Sequence, residues 1–164
     1  MQNKNIRKVI IYIIGLFIMA IGIGLWVKSN LGVSPVSTIP YTITLTLGIE
    51  MGRATVLFYI VLVLIQILIL RKNFKIINLA QIVVAVGFGY FTTFSNELMS
   101  FFPDPHNYIF RLLFLFTSIL CVALGILLYM SSGLIPLAGE GVMKAVSLKT
   151  KIDFSKCKIG RAHV

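Results

Sequence analysis

The sequence predicts an all-α fold: a polytopic helical membrane protein with about four full spans and two short re-entrant or half helices, arranged as an internal inverted repeat. Of its 164 residues, 58% are hydrophobic and 12% are charged, and that charged fraction is about half the usual value for a soluble domain. Four apolar runs are each long enough to cross a bilayer, which takes about 20 helical residues. A stretch rich in Gly, Pro and Ser follows the first run and recurs after the fourth. We therefore assign residues 1–164 to a single membrane domain.

The first apolar run, Val9 to Val27, follows three basic residues, Lys4, Arg7 and Lys8. A basic prelude is also typical of a secretory signal, but this run is too long for one and no A-x-A cleavage site follows it. Basic residues collect on the cytoplasmic side of membrane spans. We therefore predict an uncleaved first span with a cytoplasmic N-terminus.

The next stretch, Lys28 to Gly48, is interrupted by prolines and glycines and either spans the membrane or re-enters it. A full span over Val33 to Ile49 would place the later basic cluster (Arg71, Lys72 and Lys75) outside, against the positive-inside tendency. A segment that enters and returns on the same side keeps that cluster inside. Such a segment is permitted where its backbone is buried in protein or lines a cavity. The re-entrant half-helix is our prediction, with the full span as its alternative.

Local signals place a short helix inside this stretch. A helix over Pro35 to Leu47 would be only about 20 Å long, too short for the hydrocarbon core. Ser34 is a good N-cap, and proline suits the first helical position. The threonines Thr42, Thr44 and Thr46 are mediocre helix formers, so propensity supports the helix only in part.

Three further runs are predicted spans: Ala54 to Leu70, Ile76 to Phe94 and Leu112 to Met130. They are predicted as helices because they lack the alternation of apolar and polar residues that membrane barrel strands show. Under the re-entrant prediction the Arg71 to Lys75 loop is cytoplasmic and the Phe102 to Asn107 loop is external.

A shift of about 100 residues aligns the glycines and prolines in and after the first apolar run with those in and after the fourth. The first repeat would cover about residues 7–72, and the second, incomplete repeat about residues 109–158. Glycine and proline are frequent in membrane helices, so chance is the alternative explanation. With three full spans between their starts, the repeats would have opposite orientations, as in many secondary transporters. The superimposed pairs are Ala20 on Cys121, Gly24 on Gly125, Gly32 on Gly133 and Pro35 on Pro136.

The last six residues, Ile159 to Val164, match the translation of a common DNA-sequencing adapter. We therefore expect the natural sequence to break off near Lys158. The chain would then be a C-terminally truncated fragment, and residues 159–164 an artefact.

Three motifs resemble the YczE/YitT-like family of bacterial integral membrane proteins: "LGVSP" from Leu31, "GIEMGRAT" from Gly48 and "SGLIPLAGEGVMKAVSLKTKIDFSKCK" from Ser132. The resemblance covers most of residues 10–158. Members of that family often have Trp after the first proline, where this chain has Val36, and they continue for at least one more membrane segment. The resemblance implies a multi-pass protein of the bacterial cell membrane and supplies no reaction.

Glu140 is the outstanding candidate site residue, because it is an acid between two glycines in an otherwise apolar run. A carboxylate at membrane depth is costly and usually functional. The alternative is that it caps its own helix or pairs with Lys144, four residues later.

Other polar residues extend the candidate site. Ser34, Ser37 and Thr38 gather at a half-helix N-terminus, where unpaired N–H groups attract polar or negative ligands, although capping and bonds to the preceding turn also explain them. Gln66 and Gln81 either line the site or link helices. The predicted solute-binding set is Ser34, Pro35, Ser37, Thr38, Gln66, Gln81, Pro136, Glu140 and Lys144.

These features favour a small-solute transporter over the alternative, a membrane scaffold or regulatory partner that binds through small-residue faces. The expected partners are the lipid bilayer, a small solute or ion, and another copy of the chain. The formal charge of +10 sits at helix ends, so nucleic acid is not expected. Cys121 and Cys157 lack metal-ligand spacing, and no HExxH, GxSxG or phosphate-loop pattern occurs. We expect no enzymatic activity, no cofactor and no metal.

Overall fold

The computed structural model of the chain describes residues 2–71 and 76–150. These residues form six α-helices and no strand. Four of these helices are long and apolar enough to cross a membrane. The protein is an all-α, multi-pass membrane protein, which confirms the predicted fold class. The helices are α1 (Gln2–Ser29), α2 (Pro35–Leu47), α3 (Met51–Leu70), α4 (Ala80–Ser100), α5 (Tyr108–Ser131) and α6 (Ala138–Thr150).

The predicted spans agree with the four long helices, with one difference at a boundary. The third apolar run was expected to be helical from Ile76, but residues Ile76–Leu79 form a 3₁₀ turn and the α-helix begins at Ala80. Helix ends are often tightened in this way, and an apolar run does not mark the change. Lys72, Lys75 and the adapter-like residues lie outside the described residues.

Helix α1 packs most extensively on α5, and the two run in opposite directions. Gly15 lies against the backbone of Tyr129, whereas Gly22, two turns further along α1, lies against Val122. Residue numbers therefore increase along α1 in the direction in which they decrease along α5, so the two helices are antiparallel. Glycine at these points lets the two backbones approach closely.

Helix α4 is parallel to α1 and antiparallel to α3. Phe17 packs edge-on against Phe91 with ring centroids 5.5 Å apart, and Gly24 lies against Ser95 further along both helices. In the other pair, Gly52 at the start of α3 lies against Gly89 near the middle of α4, and Gln66 in the last part of α3 is bonded to Gln81 at the start of α4. The end of α1, the start of α3 and the α4–α5 loop consequently share one end of the bundle, which we call the outer end. The opposite end is the inner end.

The segment 30–50, which contains α2, therefore begins and ends at the outer end, because it connects the end of α1 to the start of α3. A salt bridge of 2.7 Å between Lys28 Nζ and Asp104 Oδ1 ties the end of α1 to the α4–α5 loop at that end. The packing agrees with the re-entrant prediction and not with a full span. Ser34 Oγ accepts from the Ser37 amide at 3.3 Å and so caps the helix start. Gly48 ends α2 in a left-handed conformation (φ 67°) that costs glycine little.

The turns after α1 and α5 are built alike. Ser29 Oγ donates to Trp26 O at 2.7 Å and accepts from the Leu31 amide at 3.4 Å. In the second turn Ser132 Oγ donates to Tyr129 O at 2.6 Å and accepts from the Leu134 amide at 3.4 Å. Ser132 therefore corresponds to Ser29, at a distance of 103 residues along the chain.

The same shift relates the residues around these turns. Asn30 (φ 52°) and Gly133 (φ 66°) both hold the left-handed position, and Pro35 and Ala138 both begin a short helix. In the α1–α5 contact, Gly22 against Val122 corresponds to Gly125 against Met19. The contacts favour a shift of 103 over the 101 suggested by aligning Gly32 with Gly133 and Pro35 with Pro136.

Candidate functional site

A cavity of about 350 Å³, here called the central cavity, lies where the N-terminal ends of α2 and α6 meet. The two short helices reach it from opposite ends of the bundle, since α2 follows the outer end of α1 and α6 follows the inner end of α5. Most of its wall is apolar or aromatic. Its lining residues are Met19, Ile23 and Trp26 of α1, Ser34 to Ser37, Tyr59 of α3, Val122, Ile126 and Tyr129 of α5, and Leu137, Gly139, Glu140 and Met143.

The α2 side of the cavity is formed by Ser34, Pro35, Val36 and Ser37. Ser37 is buried, and its hydroxyl accepts from Ser34 Oγ at 3.0 Å. Thr38 was predicted to belong to this group, but its side chain is exposed and donates to Ser34 O of the preceding turn at 3.0 Å. The structure therefore brings Ser34, Pro35 and Ser37 to the cavity and leaves Thr38 outside.

Glu140, on the α6 side, is the one acidic residue among the described residues that line the cavity. Glu140 is half-buried, and its carboxylate is hydrogen-bonded to the side chain of Tyr129 in α5. Tyr129 packs edge-on against Tyr12, with ring centroids 6.1 Å apart. The Tyr12 hydroxyl donates to Ile135 O at 2.7 Å, so α1 holds the loop that leads into α6.

Lys144 is not the partner of Glu140. Within the described part of the chain no ion pair joins the two side chains, and Lys144 is exposed and away from the cavity. The structure therefore favours Tyr129 over Lys144 as the partner of Glu140. The predicted assignment of Lys144 to the solute site is not supported by its position. Pro136 precedes α6 and does not line the cavity either.

Gln66 and Gln81 link helices and do not line the central cavity. Both are buried, with 1% and 2% of their surfaces exposed. Gln66 Nε2 donates to Gln81 Oε1 at 3.0 Å and to Ala138 O at 3.1 Å. Gly141 lies directly on the Gln66 side chain, where a Cβ would come within 2.6 Å of Oε1. This cluster joins α3, α4 and the start of α6, as the interhelical alternative predicted.

Sequence reasoning missed the aromatic part of the site, Trp26, Tyr59 and Tyr129. In a single sequence, aromatic residues of a span cannot be assigned to the lipid, the interface or the interior. A weaker signal existed, because a tyrosine within an apolar run needs a partner for its hydroxyl if it is buried. Tyr129 is such a residue, and Glu140 is its partner.

The electrostatic character of the cavity is acidic. Among its described lining residues there is no Lys, Arg or His to balance Glu140. No group of three or more His, Cys, Asp or Glu side chains within residues 2–71 and 76–150 is placed to hold a metal ion. Chemically, the arrangement offers a carboxylate acceptor in a mostly apolar cavity.

Residues 6–161 match the model of a family described as a family of unknown function, DUF6198. Comparisons of the chain with curated proteins and with solved structures gave no match.

Proposed function

Because the chain belongs to DUF6198, a family of unknown function, its role must be inferred from its site, and we propose that it is a small-solute carrier. The central cavity is the observation that supports this proposal. Two short helices that enter from opposite ends of the bundle meet there, beside a carboxylate at membrane depth. Discontinuous helices around a polar site near the bilayer midplane are typical of secondary transporters. The proposal includes no enzymatic reaction.

We further propose that α1–α2 and α5–α6 are inverted repeats. The matching turns at Ser29 and Ser132 and the symmetric glycine contacts between α1 and α5 support this, with a shift of 103 residues. Since α1 and α5 are antiparallel, the two units would have opposite orientations in a membrane. Such a pair can exchange outward-open and inward-open states by rocking around a fixed site.

The proposal places the protein in the bacterial cell membrane, in keeping with the resemblance to the YczE/YitT-like family, with the N-terminus in the cytoplasm. Arg7 and Lys8 of α1 and Arg71 after α3 share the inner end of the bundle. Basic residues favour the cytoplasmic side, which supports this orientation.

The scaffold alternative has less support. It relied on small-residue faces being free to bind another protein or another copy of the chain. The glycines Gly15, Gly22, Gly52, Gly89 and Gly125 instead contact neighbouring helices of the same chain. These faces are used in the internal packing.

Cysteine accessibility tests the carrier proposal without knowledge of the solute. Val36→Cys and Met143→Cys would be made in a background lacking Cys121 and Cys157 and probed with a membrane-impermeant thiol reagent. Both positions line the central cavity, on its α2 and α6 sides. A carrier that alternates should allow each cysteine to react from either side of the membrane.

Val83→Cys is the matched control, because Val83 is 74% exposed on the outside of the bundle and should be shielded by lipid. Reaction of both cavity cysteines from one side only would mean a ligand-binding protein without alternating access. No reaction from either side would mean a dry interior, as the scaffold alternative requires.

A further inference from the structure

The central cavity has a negative charge that no described residue of its wall balances. Glu140 receives a hydrogen bond from Tyr129, which uses one of about four acceptor sites on a carboxylate. The described ion pairs of the chain, Lys28 with Asp104 and Glu50 with Arg53, do not involve it. A half-buried carboxylate at membrane depth is costly unless a proton or a cation neutralises it. The missing charge can be supplied by the occupant of the cavity.

The α2 end of the cavity is poorly suited to an anion. Pro35 has no N–H, the Ser37 amide is bonded to Ser34 Oγ at 3.3 Å, and the Thr38 amide is bonded to Ser34 O at 2.9 Å. The donors that make a helix N-terminus bind anions are therefore largely in use. At the α6 end the negative charge of Glu140 itself opposes an anion.

The rest of the wall suits an organic cation better than a metal ion. Three aromatic residues, Trp26, Tyr59 and Tyr129, line the cavity, and aromatic rings attract cations. Hard metal ions require about six or more oxygen ligands, and Glu140 is the one carboxylate among the described lining residues. A volume of about 350 Å³ is at the lower end of the usual range for small-molecule sites, which suits a small solute.

We propose that the central cavity binds a small organic ammonium ion, with its charged nitrogen at Glu140 and Tyr129 and its apolar part between Met19, Ile126 and Trp26. This inference rests on the proposed carrier function, because it names the class of solute that the same cavity accepts.

A matched series of probes tests the charge requirement. The purified chain in detergent would be heated in the presence of 2-phenylethylammonium, 2-phenylethanol or 3-phenylpropionate, which have similar size and differ in charge. Binding to the folded state raises the unfolding midpoint. We expect the ammonium ion to raise the midpoint, and the alcohol and the carboxylate to leave it nearly unchanged. Sodium and potassium chloride at matched ionic strength serve as the inorganic arm.

The Glu140→Gln variant should weaken binding of the ammonium probe by about tenfold or more, since a lost charge interaction of about 1.4 kcal/mol changes affinity tenfold. Glu97→Gln, which removes an exposed carboxylate at the outer end of α4, should leave binding unchanged. If Glu140→Gln does not fold, the three probes on the unmodified chain still decide the question.

Equal stabilisation by the alcohol, or none by the ammonium ion, would overturn the inference. So would stabilisation by sodium or potassium alone, or an ammonium effect that survives Glu140→Gln. These results are separable from those on the carrier function. Two-sided access of Val36→Cys without ammonium binding would refute only the solute class. Ammonium binding with one-sided access would refute only alternating transport.

Discussion

At the scale of single residues, the packing of α3 on α4 depends on glycines that touch backbone. Gly52 and Gly89 lie against each other, and a Cβ on Gly89 would come within 2.8 Å of Gly52 O. In a close-packed interior such a contact forces the helices apart. Gly87, two residues away on α4, serves as a comparison, because a Cβ added there would meet no other atom within 4 Å.

We expect Gly89→Ala to destabilise the protein by about 1–3 kcal/mol, the usual cost of overpacking. Gly87→Ala should be neutral or stabilising by up to about 1 kcal/mol, because alanine is the better helix former. Unfolding of both variants in a detergent and denaturant titration measures the difference. Equal stabilities would mean that the close α3–α4 contact is not maintained in the folded protein.

Single residues were predictable where their chemistry is unusual for their surroundings. Glu140 is an acid in an apolar run, and Ser34 before Pro35 is a strong helix-start signal, and both line the central cavity. Lys144 was linked to Glu140 only by its spacing, and the structure directs Glu140 to Tyr129 instead. The partner lies on another helix, and a sequence pattern along one helix cannot reveal it.

At the scale of helices, the Gln66 cluster fixes the start of α6 to α3 and α4. Gln66 donates two hydrogen bonds, to Gln81 Oε1 and Ala138 O, and all three groups are buried. Buried polar groups that lose their partners cost about 1–3 kcal/mol, and inter-helix bonds in membranes average about 0.6 kcal/mol. This cluster therefore positions the helix that carries Glu140.

We expect Gln66→Leu to lower stability by about 1–2 kcal/mol, since it leaves Gln81 Oε1 and Ala138 O without their donor. Gln81→Leu should cost less, because Gln66 keeps its bond to Ala138 O. The double variant should be less destabilised than the sum of the two, as expected for directly bonded partners. Additive losses in a double-mutant cycle would contradict the described hydrogen bond.

The limits of helix α2 were predictable because both ends have strong local signals, Ser34 with Pro35 at the start and Gly48 at the end. The 3₁₀ turn before α4 has no such signal. The likeness of the turns at Ser29 and Ser132 has no clear sequence signal either. Asn30 takes the left-handed position that glycine takes at Gly133, and an alignment of glycine with glycine does not pair these two residues.

At the scale of the whole molecule, the outer end is joined by the salt bridge between Lys28 and Asp104. The Lys28 side chain is only 13% exposed, whereas that of Asp104 is 83% exposed. The hydrogen bond from Lys28, and then its charge, lower the pKa of Asp104 below the ordinary value of 3.8. A carboxyl with a lowered folded pKa stabilises the fold above its unfolded pKa, and the effect is lost as pH falls through the folded value.

We therefore expect Asp104→Asn to lower the unfolding midpoint at neutral pH, because Lys28 loses its partner. The difference from the unmodified chain should be constant at higher pH and should disappear once the pH falls below the lowered pKa of Asp104. Thermal unfolding of both proteins from pH 7 downward measures it, with Glu97→Gln as the exposed-carboxylate control. A difference that is unchanged in acid would show that the ion pair is not its source.

The path of the chain through the membrane follows from helix directions alone. Since α1 and α4 are parallel and α3 and α5 oppose them, Ile49 must lie on the same side as Asp104, and Arg71 on the other. Single cysteines at these three positions, in a background without Cys121 and Cys157, would be labelled in cells with an impermeant reagent. We expect the cysteines at Ile49 and Asp104 to react from outside, and that at Arg71 only after the cells are opened. Labelling of Ile49→Cys and Asp104→Cys from opposite sides would mean that α2 crosses the membrane. The two short helices would then not enter from opposite sides, and the central cavity would lose the geometry on which a carrier depends.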